Sequence, residues 1–358
     1  MEFKNIKDDL EKSCEDLYDE LNALTNQRLL LTGSAGFLGF YFSHLFAYWN
    51  MHYSNRILCT LQDNFSRGRP SWLNNISRAP DINLEQYDVL DYMSDFYFEN
   101  VIHAASIASP VFYRRYPIET MDANVIGLRN LLDAQLNFRK NTGVETRFLY
   151  FSTSEIYGDP SAENIPTSEE YRGNVSCTGP RASYDESKRY GETLCVNFWK
   201  SRGLPVTIVR PFNNYGPGLN LDDGRAISDY IKSVKETNSI VMYSDGTPTR
   251  TFCYISDAIS GYIKALVNGS PGESYNIGNE GPEISMLDLA YLIKGLCENS
   301  GHTEIKIIKQ KNQDKEYLTD NPNRRCPNIS KAKTQIGFSP SVELEDGLRR
   351  TLRWNGVI

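Results

Sequence analysis

Residues 29–39 read Leu-Leu-Leu-Thr-Gly-Ser-Ala-Gly-Phe-Leu-Gly. An apolar run leads into a turn with glycines at 33, 36 and 39, and an apolar-periodic stretch follows. The G-x-x-G-x-x-G spacing suits a β-strand that turns into a helix whose N-terminus receives the pyrophosphate of a dinucleotide. Gly33 and Gly36 would let the backbone approach the phosphates, and Gly39 would let the helix pack on the strand. Glycine-rich turns without a ligand are common, so this one gains meaning from its surroundings.

Downstream, strand-like and helix-like segments alternate. Strands are predicted at 56–62 (RILCTLQ), 100–105 (NVIHAA), 147–152 (RFLYFS) and 204–210 (LPVTIVR), with helical patterns between them. Such alternation implies an α/β fold, a doubly wound parallel sheet with helices on both faces. After Pro211 the pattern loosens into loops rich in Gly, Asn and Asp. Helices are expected there at 226–236 and 285–299, before a basic, Pro-broken stretch at 321–340. This organisation predicts a dinucleotide-binding Rossmann domain over 28–210. A smaller mixed α/β lobe for a substrate then covers 211–358, with some segments returning to the first domain. Residues 1–27 precede the glycine turn. Phe3, Ile6, Leu10, Cys14, Leu17, Leu21 and Leu24 recur there at steps of three and four, giving a helix one apolar face. The expected role is to cover an exposed edge of the main domain.

The composition narrows the function classes. A formal net charge of −7 gives no support to general nucleic-acid or anionic-membrane binding. The seven cysteines form no C-x-x-C, and the four histidines form no H-E-x-x-H. Scattered thiols of this kind are expected to be reduced, and no metal site is implied. No apolar run approaches membrane-span length and the acidic N-terminus is unlike a signal peptide, so a cytoplasmic location is expected.

Tyr184 and Lys188 stand four residues apart, which on a helix puts both side chains on one face. An ammonium beside a phenol favours phenolate, so the tyrosine is expected to titrate below its usual ~10 and to act as a base toward an alcohol. Y-x-x-x-K also recurs by chance as two solvated helix residues. Upstream, Ser152-Thr153-Ser154-Glu155 follows a predicted strand, at the sheet end where ligands bind in this architecture. Thr153 could hydrogen-bond the reacting oxygen, and Glu155 could move a proton if burial raises its pKa. The same residues also make a helix-capping pattern.

In this order, the glycine turn, T-S-E and Y-x-x-x-K carry a family resemblance. The chain resembles an extended short-chain dehydrogenase/reductase of the nucleotide-sugar epimerase/dehydratase/decarboxylase superfamily over roughly 28–353. The resemblance lies in TGSAGFLG (32–39), DNFSRG (63–68), HAAS (103–106), STSEIYGDP (152–160), GPRASYDESKRYGE (179–192), RPFNNYGPG (210–218), DDGRAIS (222–228) and TRTFCYISD (249–257). Through TSEIYGDP, GPRASYDESKR and DGRAIS it is most similar to UDP-glucuronate decarboxylases (UDP-xylose synthases).

The resemblance implies NAD as cofactor. Gly33, Gly36, Phe37, Leu38 and Gly39 would face its pyrophosphate. Asp63 would take the adenosine ribose hydroxyls, with Asn64 and Gly68 beside them, Asp88 and Val89 flanking the adenine, and Ala105 nearby. An acid at the ribose repels a 2′-phosphate and favours NAD over NADP; Arg67 and Arg69 could soften that preference. Arg181, Asn213, Arg225, Arg250 and Arg325 would hold the nucleotide, phosphate or sugar of a UDP-sugar, guanidinium groups donating bidentately to such oxygens. Tyr184, Lys188, Thr153, Ser154 and Glu155 would form the catalytic set, and a homodimer through a four-helix interface containing the Tyr-Lys helix is implied. Two positions depart from the pattern: the decarboxylases carry a lysine where this chain has Asp122 and an arginine where it has Gly218.

The implied reaction is transient oxidation at sugar C4 by Tyr184, with loss of CO2 from C5 of the 4-keto sugar and re-reduction. The alternatives are an epimerase, a 4,6-dehydratase or a C4 oxidoreductase on another nucleotide sugar. Ser154 in place of the familiar dehydratase Asp weighs against dehydration. An inactive nucleotide-binding scaffold would have no chemical need for Thr153, Glu155, Tyr184 and Lys188 together.

Overall fold

The computed structural model describes residues 3, 5–311, 316 and 319–358. Its main sheet has seven strands: β1 (Arg28–Thr32), β2 (Leu58–Asp63), β3 (Ile82–Gln86), β4 (Asn100–His103), β5 (Arg147–Phe151), β6 (Val206–Pro211) and β7 (Ser274–Ile277). They run in the order β7-β6-β5-β4-β1-β2-β3 and every neighbouring pair is parallel. The chain reverses its direction of travel across the sheet between β1 and β4, which opens a crevice at their carboxyl ends. The principal helices are α1 (Lys7–Asp16), α2 (Tyr18–Ala23), α3 (Phe37–His52), α4 (Leu128–Thr142), α5 (Ala182–Arg202), α6 (Ala226–Thr237) and α7 (Ile255–Asn268).

Alternation along β1 distributes the two cores. Leu29 and Leu31 join the core containing α3 and α7, whereas Leu30 joins the one containing α4 and α5. This two-sided burial explains the unbroken apolar run read in the sequence. β3 and β7 were not predicted. β3 (INLEQ) lies at the sheet edge, with only Ile82 buried, and β7 (SYNI) is four residues among glycines.

The extension differs from the single helix expected: it breaks at Leu17, and the two pieces cover α3 and α7 of the main domain. Leu10, Cys14, Leu17, Leu21 and Leu24 are fully buried. Residues 1, 2 and 4 of the expected extension lie outside the described residues. The reason is legible in α3, FLGFYFSHLFAYWNMH, which is apolar all round. A helix of that kind needs cover on its outer face as well as the sheet on its inner one. Polar ties fix the cover. Asp9 accepts from the Tyr254 hydroxyl at 2.6 Å and from Arg350, and Glu20 accepts from Lys264 at 3.1 Å and Asn268 at 3.0 Å.

Beyond β6, α6 and the helix Met286–Glu298 lie where helical patterns were expected. A small sheet joins Ile284–Ser285, Thr249–Arg250 and Arg324–Arg325, with Arg250 and Arg325 directly paired in register. Among the described residues, no helix is long and apolar enough to cross a membrane.

Candidate active site

The glycine turn ends β1 and makes one end of a cavity of about 330 Å³. Gly33 has φ +72°, and a Cβ there would come within 2.6 Å of the Ala105 amide. A Cβ at Gly39 would fall on the carbonyl oxygens of Gly33 and Ser34. Gly36 is different: it caps α3, no side chain satisfies the first-turn amides, and only the Gly33 carbonyl lies near its missing Cβ. Bare helix N-terminal amides beside open space suit a diphosphate, and Gly36, Phe37 and Leu38 line the cavity. Asp63, the last residue of β2, accepts from the Ala35 amide at 3.0 Å and the Phe65 amide at 2.8 Å, while burial pushes its carboxyl up.

The other residues predicted around the ribose and adenine follow the ends of β2, β3 and β4 and are not part of the cavity lining. Asn64 donates to Asp88 at 2.9 Å, Val89 is buried, Gly68 has φ +92° with open space around it, and the Ala105 amide meets the Thr32 hydroxyl at 3.3 Å. Of the two nearby arginines, Arg67 is engaged by Asp223 and Arg69 by Asn74.

Tyr184 and Lys188 lie on the first turns of α5 and line the same cavity. The Lys188 ammonium donates to the Phe151 carbonyl at 2.8 Å and sits 5.9 Å from the Tyr184 ring centre. The expected lowering of the phenol is corrected here. Burial pushes Tyr184 up to about 12, against the opposing pull of Arg225 and the Thr153 hydroxyl. Burial likewise pushes Lys188 down to about 7. Desolvation outweighs mutual attraction in this pair, and the phenolate needs further positive charge to form readily.

Thr153 serves both readings. Its hydroxyl caps the short helix Ser154–Tyr157 by accepting from the Glu155 amide at 3.2 Å, and it also faces the Tyr184 phenol. Ser154 is buried beside it.

The condition for proton transfer by Glu155, a carboxyl raised by burial, is not met. Arg325 holds it bidentately at 2.6 Å and 2.6 Å, and Arg181 donates to the same carboxylate. These guanidinium groups overcome desolvation and pull Glu155 down to about 2, so it is a carboxylate and not a proton donor. Arg250 adds a third buried guanidinium, donating to neutral oxygens of Thr249, Asn321, Pro322 and Asn323. Asp185, next to the phenol, is pushed up to about 8 by burial and by Glu155, and one of its oxygens has no partner. Three buried guanidinium groups, those of Arg181, Arg250 and Arg325, therefore act on the Glu155 carboxylate. Asn213, at φ +41°, and Arg225, at the N-terminus of α6, complete the predicted set in this cavity.

Three further cavity or supporting residues had no local signal. Tyr113 stacks on Tyr184 with ring centres 5.0 Å apart and planes 9° apart, its buried hydroxyl without a partner. Asn124, in a π-helical turn, donates to Ser187 at 2.9 Å and accepts from Ser106 at 2.7 Å, which fixes α5 against the strand-end loop. Asp185 lay inside a quoted motif with nothing to mark its burial. The two departures lie off the cavity wall. Asp122 is half-buried outside the lining, and a Cβ at Gly218 would fall on the Phe40 ring, so no side chain fits there.

A glycine cradle and a Tyr-Lys pair sharing one strand-end cavity, with an acid at the end of the second strand, define a nicotinamide-dependent enzyme of the short-chain dehydrogenase/reductase class. The chain belongs to the NAD dependent epimerase/dehydratase family, whose profile matches residues 29–278. It is 37% identical over 324 residues to UDP-glucuronic acid decarboxylase 6 of Arabidopsis thaliana, covering 90% of this chain and 87% of the relative. UDP-glucuronic acid decarboxylase 1 of Xenopus tropicalis is 37% identical over 355 residues, covering 96% and 76%. Among solved structures, a UDP-glucuronic acid 4-epimerase from Bacillus cereus, in complex with a fluorinated UDP-glucuronic acid and NAD, superposes with a TM-score of 0.72 at 25% identity, covering 91% and 98%.

Proposed function

We propose that this enzyme decarboxylates UDP-glucuronate, with Tyr184, Lys188, Thr153, Ser154 and Glu155 around the sugar and Arg181, Asn213, Arg225, Arg250 and Arg325 holding the nucleotide sugar. The observation that carries the proposal is the cluster of buried Arg181, Arg250 and Arg325 around Glu155 in the cavity that Tyr184 also lines. Such a site favours an anionic sugar, since an unpaired carboxylate brought out of water costs several kcal/mol.

The residues Gly36–Leu38 and Asp63 would hold NAD, which when bound accepts the C4 hydride, returns it at the end, and adds positive charge beside the phenol. Tyr184 removes the C4 hydroxyl proton, with Thr153 hydrogen-bonding the same oxygen and Lys188 stabilising the phenolate. The C5 carboxylate is then β to a ketone. Its C–C bond breaks, CO2 leaves, and the electron pair is held as an enolate that buried cations favour. Glu155 keeps Arg181 and Arg325 in place, and protonation of C5 followed by reduction of C4 yields a UDP-pentose.

The two-part division, 28–210 for the cofactor and 211–358 mainly for the sugar, is proposed, with α7 and β7 as the segments that return to the cofactor sheet. Seven free cysteines, six of them buried, support a reducing, cytoplasmic setting. Exposed Ile118, Met121, Ile126 and Tyr190, on helices packed against one another, support a homodimer through the α5 face. Light scattering should give twice the chain mass, and Tyr190→Glu should halve it; a monomer at every concentration overturns the dimer.

The test of the activity is incubation with UDP-glucuronate, and separately with UDP-glucose, followed by mass spectrometry. UDP-pentose and CO2 from the first, with little change in the second, are expected. Turnover of the neutral sugar alone would favour the epimerase reading.

A further inference from the structure

Arg67 and Asp223 line the cavity from two loops far apart in the chain. Arg67 lies on the loop leaving β2, and Asp223 lies on the loop that precedes α6. The guanidinium donates to the Asp223 carboxylate at 2.9 Å, and the aspartate side chain is only 8% exposed. The guanidinium carbon sits 4.1 Å from the centre of the Phe112 ring. A third segment joins them: Ser109 donates to the Asp223 carbonyl at 2.9 Å, and Arg225 donates to the Ala108 carbonyl at 3.3 Å. Arg67, Ser109 and Asp223 line the same cavity as Gly36, Phe37 and Leu38.

We infer that the Arg67–Asp223 pair is a strap that encloses the bound dinucleotide and sets how long it stays. The inference rests on the decarboxylase reading, because that reaction ends with its cofactor in the state in which it began. An enzyme whose hydride acceptor is regenerated in every turnover has no need of rapid cofactor exchange. A net dehydrogenase, which must release reduced cofactor each cycle, would be slowed by such a closure. The pair is built to hold. One partner is buried, and the cation rests on the face of Phe112, whose segment is itself tied to the Asp223 loop through Ser109. It differs in this from the solvated surface pairs of the molecule, such as Lys12–Asp16.

The test is the rate at which NADH leaves. The protein is loaded with NADH and chased with excess NAD, and the loss of bound NADH fluorescence is followed. Arg67→Ala and Asp223→Asn should each release NADH about tenfold faster, the scale of one charge-assisted contact. Exchanging the two charges, Arg67→Asp with Asp223→Arg, should bring release back to within about threefold of the parent. Arg67→Gln, close in length, serves if the alanine variant does not fold. Release unchanged in the single variants, or as fast in the exchanged pair as in the singles, overturns the strap. Faster release together with no UDP-pentose from the parent would overturn the decarboxylase reading and leave the strap standing.

Discussion

Tyr184→Phe is expected to lower turnover of the nucleotide sugar roughly 10³-fold while the fold and cofactor binding persist. The ring stays stacked on Tyr113, so packing is unchanged, and only the oxygen that takes the C4 proton is lost. Lys188→Met should reduce turnover on a similar scale and, in addition, reveal what the buried amine costs the fold. Burial lowers the Lys188 pKa in the folded state to about 7, whereas an unfolded lysine titrates near ~10.4. The folded state therefore binds this proton less readily, and the penalty for charging the amine grows as pH falls from about 10 to about 7, then stays constant. The melting temperature of Lys188→Met relative to the parent should accordingly be higher at pH 6 than at pH 10, by roughly 5 °C. Paired melts at the two pH values and a turnover assay check both parts. A fully active Tyr184→Phe, or a Lys188→Met melting difference that is the same at both pH values, would contradict this reading.

Removal of residues 1–24 should have the largest effect on stability. The burial contributed by Leu10, Cys14, Leu17, Leu21 and Leu24 is offset in large part by the entropy of ordering the two helices, so their own folding is close to neutral. The damage falls on what they cover. Tyr41, Tyr48 and Trp49 of α3, which meet Ser13, Phe3 and Tyr18, would face water as one apolar patch. Asp9 would also be lost from Tyr254 and Arg350, leaving a buried hydroxyl and a guanidinium without their shared carboxylate. The truncated chain should be insoluble, or melt about 10 °C or more below the parent. A soluble truncated chain with an unchanged melting temperature would show the extension to be an appendage.

The legible parts of this molecule are those whose causes are local. Gly33, Gly36 and Gly39 announce their turn because the chain itself needs the space, and the apolar runs of β1, β4, β5 and β6 announce a sheet buried on both faces. β3 was silent because an edge strand with one buried residue carries no apolar run. The extension was read as helical correctly, but its place depended on α3, whose all-round apolarity was itself the available clue. The electrostatics were misread for a different reason. Glu155 was read as a group that could move a proton if burial raised its carboxyl, and Arg325, arriving 170 residues later in the sequence, removes that condition. Tyr184 was expected to be lowered by Lys188, yet the burial that brings the two together desolvates both. Charge states of buried groups depend on every wall of the cavity, and single motifs contain only one wall.

In the proposed reaction Tyr184 acts on a sugar whose C4 hydrogen leaves as hydride and returns to the same carbon. UDP-glucuronate carrying deuterium at C4 tests it most directly, with the product pentose examined by mass spectrometry and NMR. Retention of the deuterium at C4 of a UDP-pentose is the predicted result. Deuterium lost to solvent, or a product that keeps its carboxylate, would contradict it.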